Sequence, residues 1–100
     1  MDNSICVVIA RYRENLDWIK NIPDKFNVII YNKGEPLPSE YKSILLENVG
    51  REGHTYYKYI YDNYENLPNH VIFLQGYPFD HSPNLINILH LCTFKTPIIL

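Results

Sequence analysis

Two short segments hold most of the chemically capable residues of this 100-residue chain. The first is Asn48-Val-Gly-Arg-Glu-Gly-His54-Thr55. A helix that starts here offers free backbone N–H groups and a partial positive charge, which together attract anions. Arg51 adds a guanidinium able to hold phosphate or carboxylate at two points. Gly50 and Gly53 leave the backbone open to close approach. Arg51 and His54, three residues apart, share a helix face. The plainer reading is a capped helix start with Arg51 paired to Glu14 or Asp80. The second segment is Gln75-Gly76-Tyr-Pro-Phe-Asp80-His81. A carboxylate beside an imidazole can bind a divalent ion such as Mn²⁺ or Mg²⁺, or serve as acid and base. Asp80 and His81 are an incomplete metal set, which His54 or Glu14 would have to complete. The plainer reading makes Asp80 the cap of the next helix. If the two segments act together, Arg51, His54, Asp80 and His81 must share one cleft.

Arg11-Tyr12-Arg13-Glu14 offers two arginines that could clamp phosphate or pair with Glu52 and Glu14. Asn32 and Lys33 follow another apolar run. His70 and His90 read as structural residues. The chain contains no nucleophile elbow, Walker loop, Gly-x-Gly-x-x-Gly or Cys-x-x-Cys.

The elements that must position these residues can be read from the apolar pattern. Ile5 to Ala10 is a continuous apolar run, which indicates a strand covered on both faces. Leu16 to Lys20, with Trp18 and Ile19, predicts a short amphipathic helix ended by Pro23. Phe26 to Tyr31 is a second strand, left through a tight Asn32-Lys33-Gly34 exit. Tyr41 to Leu46 is a short strand or an irregular extension. Arg51 to Leu67 is the best helix, with Tyr57, Ile60, Tyr61 and Tyr64 as its expected buried stripe. His70 to Leu74 is a third strand. Ser82-Pro83 reads as the cap and first residue of a helix from Asn84 to Leu91. Ile98-Ile99-Leu100 looks like the start of a further strand.

Strands alternating with helices predict an α/β fold: a small three-layer, Rossmann-like domain with a mainly parallel sheet of three to four strands. Such sheets bind ligands outside the carboxyl ends of their strands. Those ends carry Arg11, Tyr12, Arg13, Glu14, Asn32, Lys33, Gln75, Gly76, Asp80 and His81. The long helix starts on the same side, with Asn48, Gly50, Arg51, Glu52 and His54.

Composition narrows the class. The chain is 46% hydrophobic and 20% charged, with net charge -2, which suits one globular domain over 1–100. No cationic run supports binding to nucleic acid. No apolar stretch nears the ~20 residues of a membrane span, and the start shows no signal-peptide pattern, so a cytoplasmic location is expected. Cys6 and Cys92 read as reduced, buried thiols. The nine tyrosines call for hydroxyl partners and hence a wet edge to the core.

Several pieces taken in order resemble one family. They are Val8-Ile-Ala-Arg-Tyr-Arg-Glu14 with Leu16 and Trp18, Ile30-Tyr-Asn-Lys-Gly34, and Asn48-Val-Gly-Arg-Glu-Gly-His-Thr-Tyr56. Asn63-Tyr64, Leu67-Pro68, Phe73-Leu-Gln-Gly76 and Pro78-Phe-Asp-His81 complete the series. This order resembles the family called domain of unknown function 3431, found in fungi, algae, plants and large DNA viruses, over about Val7 to His81. Its layout is similar to GT-A type glycosyltransferases that use nucleotide-sugars. In that likeness Ala10 to Glu14 would lie beside the nucleotide, and Phe79-Asp-His81 would take the place of the acidic metal motif. The chain departs from the pattern in having no Asp-x-Asp. It also stops at Leu100, where the resemblance implies a further acceptor-binding part, so the domain is expected to be short for its family.

The expectation is a glycosyltransferase-like domain. Arg11, Arg13 and Arg51 would hold the phosphate of a small ligand or nucleotide-sugar, and Asp80 and His81 would bind metal or move a proton. The other reading is a non-catalytic binding or scaffolding module, of a kind a virus could encode, that uses exposed tyrosines. A hydrolase built on Asp80, His81 and His54 lacks a visible nucleophile. The open edge after Thr96 makes a homodimer a further expectation.

Overall fold

A computed structural model describes residues 5–80, 82–91 and 98–99. Its elements are β1 (Ile5–Arg11), β2 (Asn27–Asn32), β3 (Ser43–Leu45), α1 (Glu52–Asp62), β4 (His70–Gln75), α2 (Leu85–Leu91) and β5 (Ile98–Ile99), with 3-10 turns at Asp17–Asn21, Tyr64–Asn66 and Pro78–Asp80. The strands form one sheet in the order β3-β2-β1-β4-β5. Every pairing is parallel. The α/β fold with a parallel sheet agrees with the sequence pattern. Four strands carry the expected positions, and the two-residue β5 forms the far edge.

Burial follows from position in the sheet. β1 is central and covered on both faces, and Val7, Val8 and Ile9 are wholly buried. This is why its sequence is continuously apolar rather than alternating. β3 lies at an edge and is exposed along its length. Alternate residues of the inner strands feed two separate cores. One holds Val7, Ile9, Ile30, Ile72 and Leu74 with Leu16, Leu85 and Leu89. The other holds Val8, Tyr31, Val71 and Phe73 with Tyr59 of α1. Thus α2 and the Asp17–Asn21 turn cover one face, and α1 covers the other. Leu85 and Leu89, four apart on α2, are both fully buried, each worth roughly 1.5–3 kcal/mol against exposure.

Three local expectations are corrected. The segment from Leu16 to Lys20 closes as a 3-10 turn at Asp17–Asn21. Asn15 Oδ1 accepts the Asp17 N–H at 2.7 Å, and Pro23 leaves too little length for an α-helix. The long helix ends at Asp62 rather than Leu67. The Asn63 N–H makes the last helical bond to the Tyr59 carbonyl, and its Nδ2 donates to the same oxygen, a side-chain bond that competes with helix continuation.

The third correction concerns the buried stripe of α1. Tyr57, Tyr61 and Tyr64 are about three-quarters exposed, and Ile60 is exposed as well. Thr55 and Tyr59 are the buried residues, with Tyr56 packed beside them on Phe73. Both stripes have helical spacing. Because a tyrosine tolerates water at its hydroxyl, hydropathy could not choose between them.

The wet edge of the core is present on this α1 side. Tyr59 hydrogen-bonds the half-buried, unpaired Cys6, and Tyr31 hydrogen-bonds Asn63. Cys92, in contrast, lies outside the described residues.

Candidate functional site: a cleft at the strand ends

Because every strand is parallel, Arg11, Asn32, Leu45 and Gln75 end at one side of the sheet. The corner between β1 and β2 is tied together by its own polar groups. Arg11 donates from Nε to the Glu14 carbonyl at 3.1 Å. Its Nη1 donates to Asn32 Oδ1 and to the Glu35 carbonyl, each at 3.0 Å. Asn32 is 1% exposed. Its Oδ1 also accepts the Gly34 N–H at 2.9 Å, and its Nδ2 donates to the Glu35 carbonyl at 2.6 Å. Asn32 therefore positions the corner rather than facing a ligand. A Cβ on Gly34 would collide with the Tyr12 carbonyl, so only glycine lets β2 leave beside β1 here.

The loop leading to α1 is held from β2. Lys33 Nζ donates to the carbonyls of Val49 at 2.7 Å and Arg51 at 3.3 Å. Partial burial pushes the Lys33 ammonium below its usual pKa, and the nearby Glu52 carboxylate opposes that shift. Gly50 has φ of +70°, and a Cβ there would also strike His54. Its role is therefore to turn the backbone into α1. Gly53, by contrast, faces open space.

No side chain caps α1. The first bonds to the Arg51 carbonyl come from His54 and Thr55. The Glu52 and Gly53 N–H groups precede that ladder and belong to the unsatisfied first turn. Thr55 is fully buried, and its Oγ1 has no hydrogen-bond partner. An orphaned buried hydroxyl is unfavourable by about 1–3 kcal/mol.

Two adjoining clefts open on this rim. One, of about 660 Å³, is lined by Arg11, Tyr12, Arg13, Lys33, Gly34, Glu35 and Asn48. The other, of about 460 Å³, is lined by Ala10, Glu14, Gly50, Arg51, Glu52 and Thr55, and it shares Arg11, Tyr12, Lys33 and Asn48 with the first. Arg13 lies over the Tyr12 ring, 4.7 Å from its centre. Glu14 Oε1 accepts the Tyr12 N–H at 2.8 Å.

The clefts thus gather eight residues singled out from sequence: Arg11, Arg13, Glu14, Lys33, Asn48, Gly50, Arg51 and Glu52. Neither Arg11 nor Arg51 takes part in an ion pair among the described residues, whereas Lys58 pairs with Asp62.

The second chemical segment is placed differently. Gly76 is buried, presses on Glu14, and accepts the Trp18 Nε1–H at its carbonyl at 2.9 Å. Phe79 packs edge-on against Trp18 and joins the α2-side core. Asp80 follows on the surface. Gln75 is half-buried beside Ala10 of β1, while His54 is exposed on α1. None of Gln75, Gly76, His54 or Asp80 lines either cleft. His81 lies outside the described residues. Among the described residues, no three His, Cys, Asp or Glu side chains converge as a metal site.

Tyr12, Gly34, Glu35 and Thr55 line the clefts without having been singled out as site residues. Thr55 had a legible signal. It is a polar residue four before Tyr59, on the same helix face.

The fold and the rim define a class: a parallel α/β domain with a polar cleft at the carboxyl ends of its strands, beside an uncapped helix start. Residues 6–88 match the family model described as protein of unknown function (DUF3431), and the chain belongs to that family. No curated protein and no solved structure matches it. Among the described residues, no helix is long and apolar enough to cross a membrane.

Proposed function

We propose that this domain binds a small phosphorylated ligand at the carboxyl ends of its strands. A nucleotide-sugar is the form that the glycosyltransferase-like layout suggests. The observation that carries this reading is the convergence of Arg11, Arg51, Lys33 and the open start of α1 on one cleft. Cations beside unsatisfied N–H groups are the chemistry by which helix starts hold phosphate. Arg11 acts mainly as a brace, since its Nε and Nη1 are engaged by the corner. Arg51 is exposed and is the guanidinium available to a ligand. Arg13, stacked on Tyr12, guards the outer cleft.

In the glycosyltransferase-like form, Asp80 and His81 would supply the acid-base or metal function with Mn²⁺ or Mg²⁺. A non-catalytic binding module is the second reading. It is favoured by one specific observation, that Asp80 and His54 do not line the clefts. Calorimetric titration of the folded chain with nucleotide-sugars and simple phosphate esters, with and without manganese, tests both. Heat with any of these that disappears in Arg51→Ala supports the phosphate cleft. Turnover of a nucleotide-sugar that depends on Asp80 selects the enzyme. No heat from any ligand sinks the phosphorylated-ligand reading altogether.

A further inference from the structure

The orphaned hydroxyl and the charge around it narrow the ligand. Thr55 lines the inner cleft, is wholly buried, and has an Oγ1 with no partner. It sits one turn inside an uncapped helix of eleven residues. Buried hydroxyls are nearly always bonded, so one left without a partner on a residue that lines a cleft marks a place for an acceptor. The Glu52 and Gly53 N–H groups start the same turn.

Charge sets how much anion this place can hold. Arg11, Lys33 and Arg51 line the inner cleft against Glu14 and Glu52. The outer cleft adds one cation, Arg13, and one carboxylate, Glu35. Over both clefts a single positive charge is in excess, with roughly half a charge more from the helix start. That suits one phosphoryl group. A diphosphate would bring a second phosphoryl against the carboxylates. The same carboxylates are acceptors for hydroxyl groups.

We propose that the start of α1, with the Thr55 hydroxyl and Arg51, is a subsite for a single phosphoryl group on a small polyhydroxylated compound. The hydroxylated part extends past Tyr12 toward Glu35. This assignment rests on the phosphorylated-ligand reading above, narrows it to monophosphate esters, and sets aside its nucleotide diphosphate-sugar form.

Amide-resolved NMR titration of the full chain with orthophosphate, a hexose 6-phosphate and a uridine diphosphate hexose tests it. Orthophosphate should shift the Glu52 to Thr55 amides. The hexose phosphate should shift these together with Gly34 and Glu35, and bind at least tenfold more tightly than orthophosphate. The diphosphate hexose should bind no better than the hexose phosphate. Thr55→Val should weaken hexose phosphate at least tenfold while raising the thermal midpoint, because it removes an unpaired buried oxygen. Thr55→Ser should restore binding. Unchanged affinity in Thr55→Val, or shifts that spare Glu52 to Thr55, overturns the subsite. Tighter binding of the diphosphate hexose overturns the monophosphate assignment while leaving the broader reading standing. Absence of binding by all three removes both.

Discussion

The corner between β1 and β2 and the start of α1 stand side by side on the same rim, yet their polar atoms do opposite things. In the corner, Arg11, Asn32, Gly34 and Glu35 bond to one another. At the start of α1, the helix has no cap and Thr55 Oγ1 has no partner. The first region is a brace, and the second is the socket of the proposed ligand. Residue type does not distinguish them, since each has an arginine, an asparagine and a glycine. The difference lies in whether the donors and acceptors are already engaged. A polar group with its bonds made contributes rigidity, and one without them remains open to a ligand.

Substitutions in the brace should reach folding, and substitutions in the socket should reach binding. Gly34→Ala carries the largest expected effect. Its Cβ would meet the Tyr12 backbone carbonyl, which cannot yield as a flexible side chain would. A loss of about 3 kcal/mol is expected, read by urea unfolding, and wild-type stability would show that the corner is loose. Asn32→Ala comes next. It leaves the Gly34 N–H and one Arg11 contact unpaired in a buried place, for about 2 kcal/mol. An unchanged midpoint would remove Asn32 from the brace.

The α1-side core should respond to alkali. Burial is the main cause that raises the pKa of Tyr56, Tyr59, Tyr31 and Cys6, and at Tyr59 the bond to Cys6 adds to it. A raised folded pKa means the neutral form is favoured by the fold. That stability is therefore fully present below the unfolded pKa, about 8.5 for a thiol and 10 for a phenol. It falls as pH rises beyond those values. Lys33, whose pKa is lowered, works in the opposite direction as one group against four. Unfolding midpoints measured from pH 7 to 11 should drop above about pH 9, and less steeply in Tyr59→Phe. A flat profile contradicts this account. The smallest effect is expected on the outer face of α1. Tyr57→Ser and Tyr61→Ser should each change stability by no more than about 0.5 kcal/mol. A larger loss by thermal unfolding would mean that this face is covered after all.

The sequence made much of this architecture legible. Continuous apolar runs marked β1, β2 and β4 as inner strands, and their ends named the rim. Helix starts and glycines placed Asn48 to Thr55 at one point of it. Two features stayed out of reach. The tyrosines of α1 offered two stripes of equal spacing, and only packing against Phe73 and Tyr31 selected Tyr56 and Tyr59. The polar segment after β4 looked equivalent to the one before α1, but Phe79 docks on Trp18 in the layer of α2.

By itself, then, the sequence determined the parallel α/β order, the end of the sheet where the two clefts open, and most of the residues that line them. Hydrophobic periodicity and local backbone preference are written residue by residue. The tertiary structure alone decided that Arg11 and Asn32 would brace while Arg51 and Thr55 would stay open. A hydrogen bond between residues 21 apart, such as Arg11 to Asn32, depends on how strands fall into register. That register is fixed only when both faces of the sheet are packed.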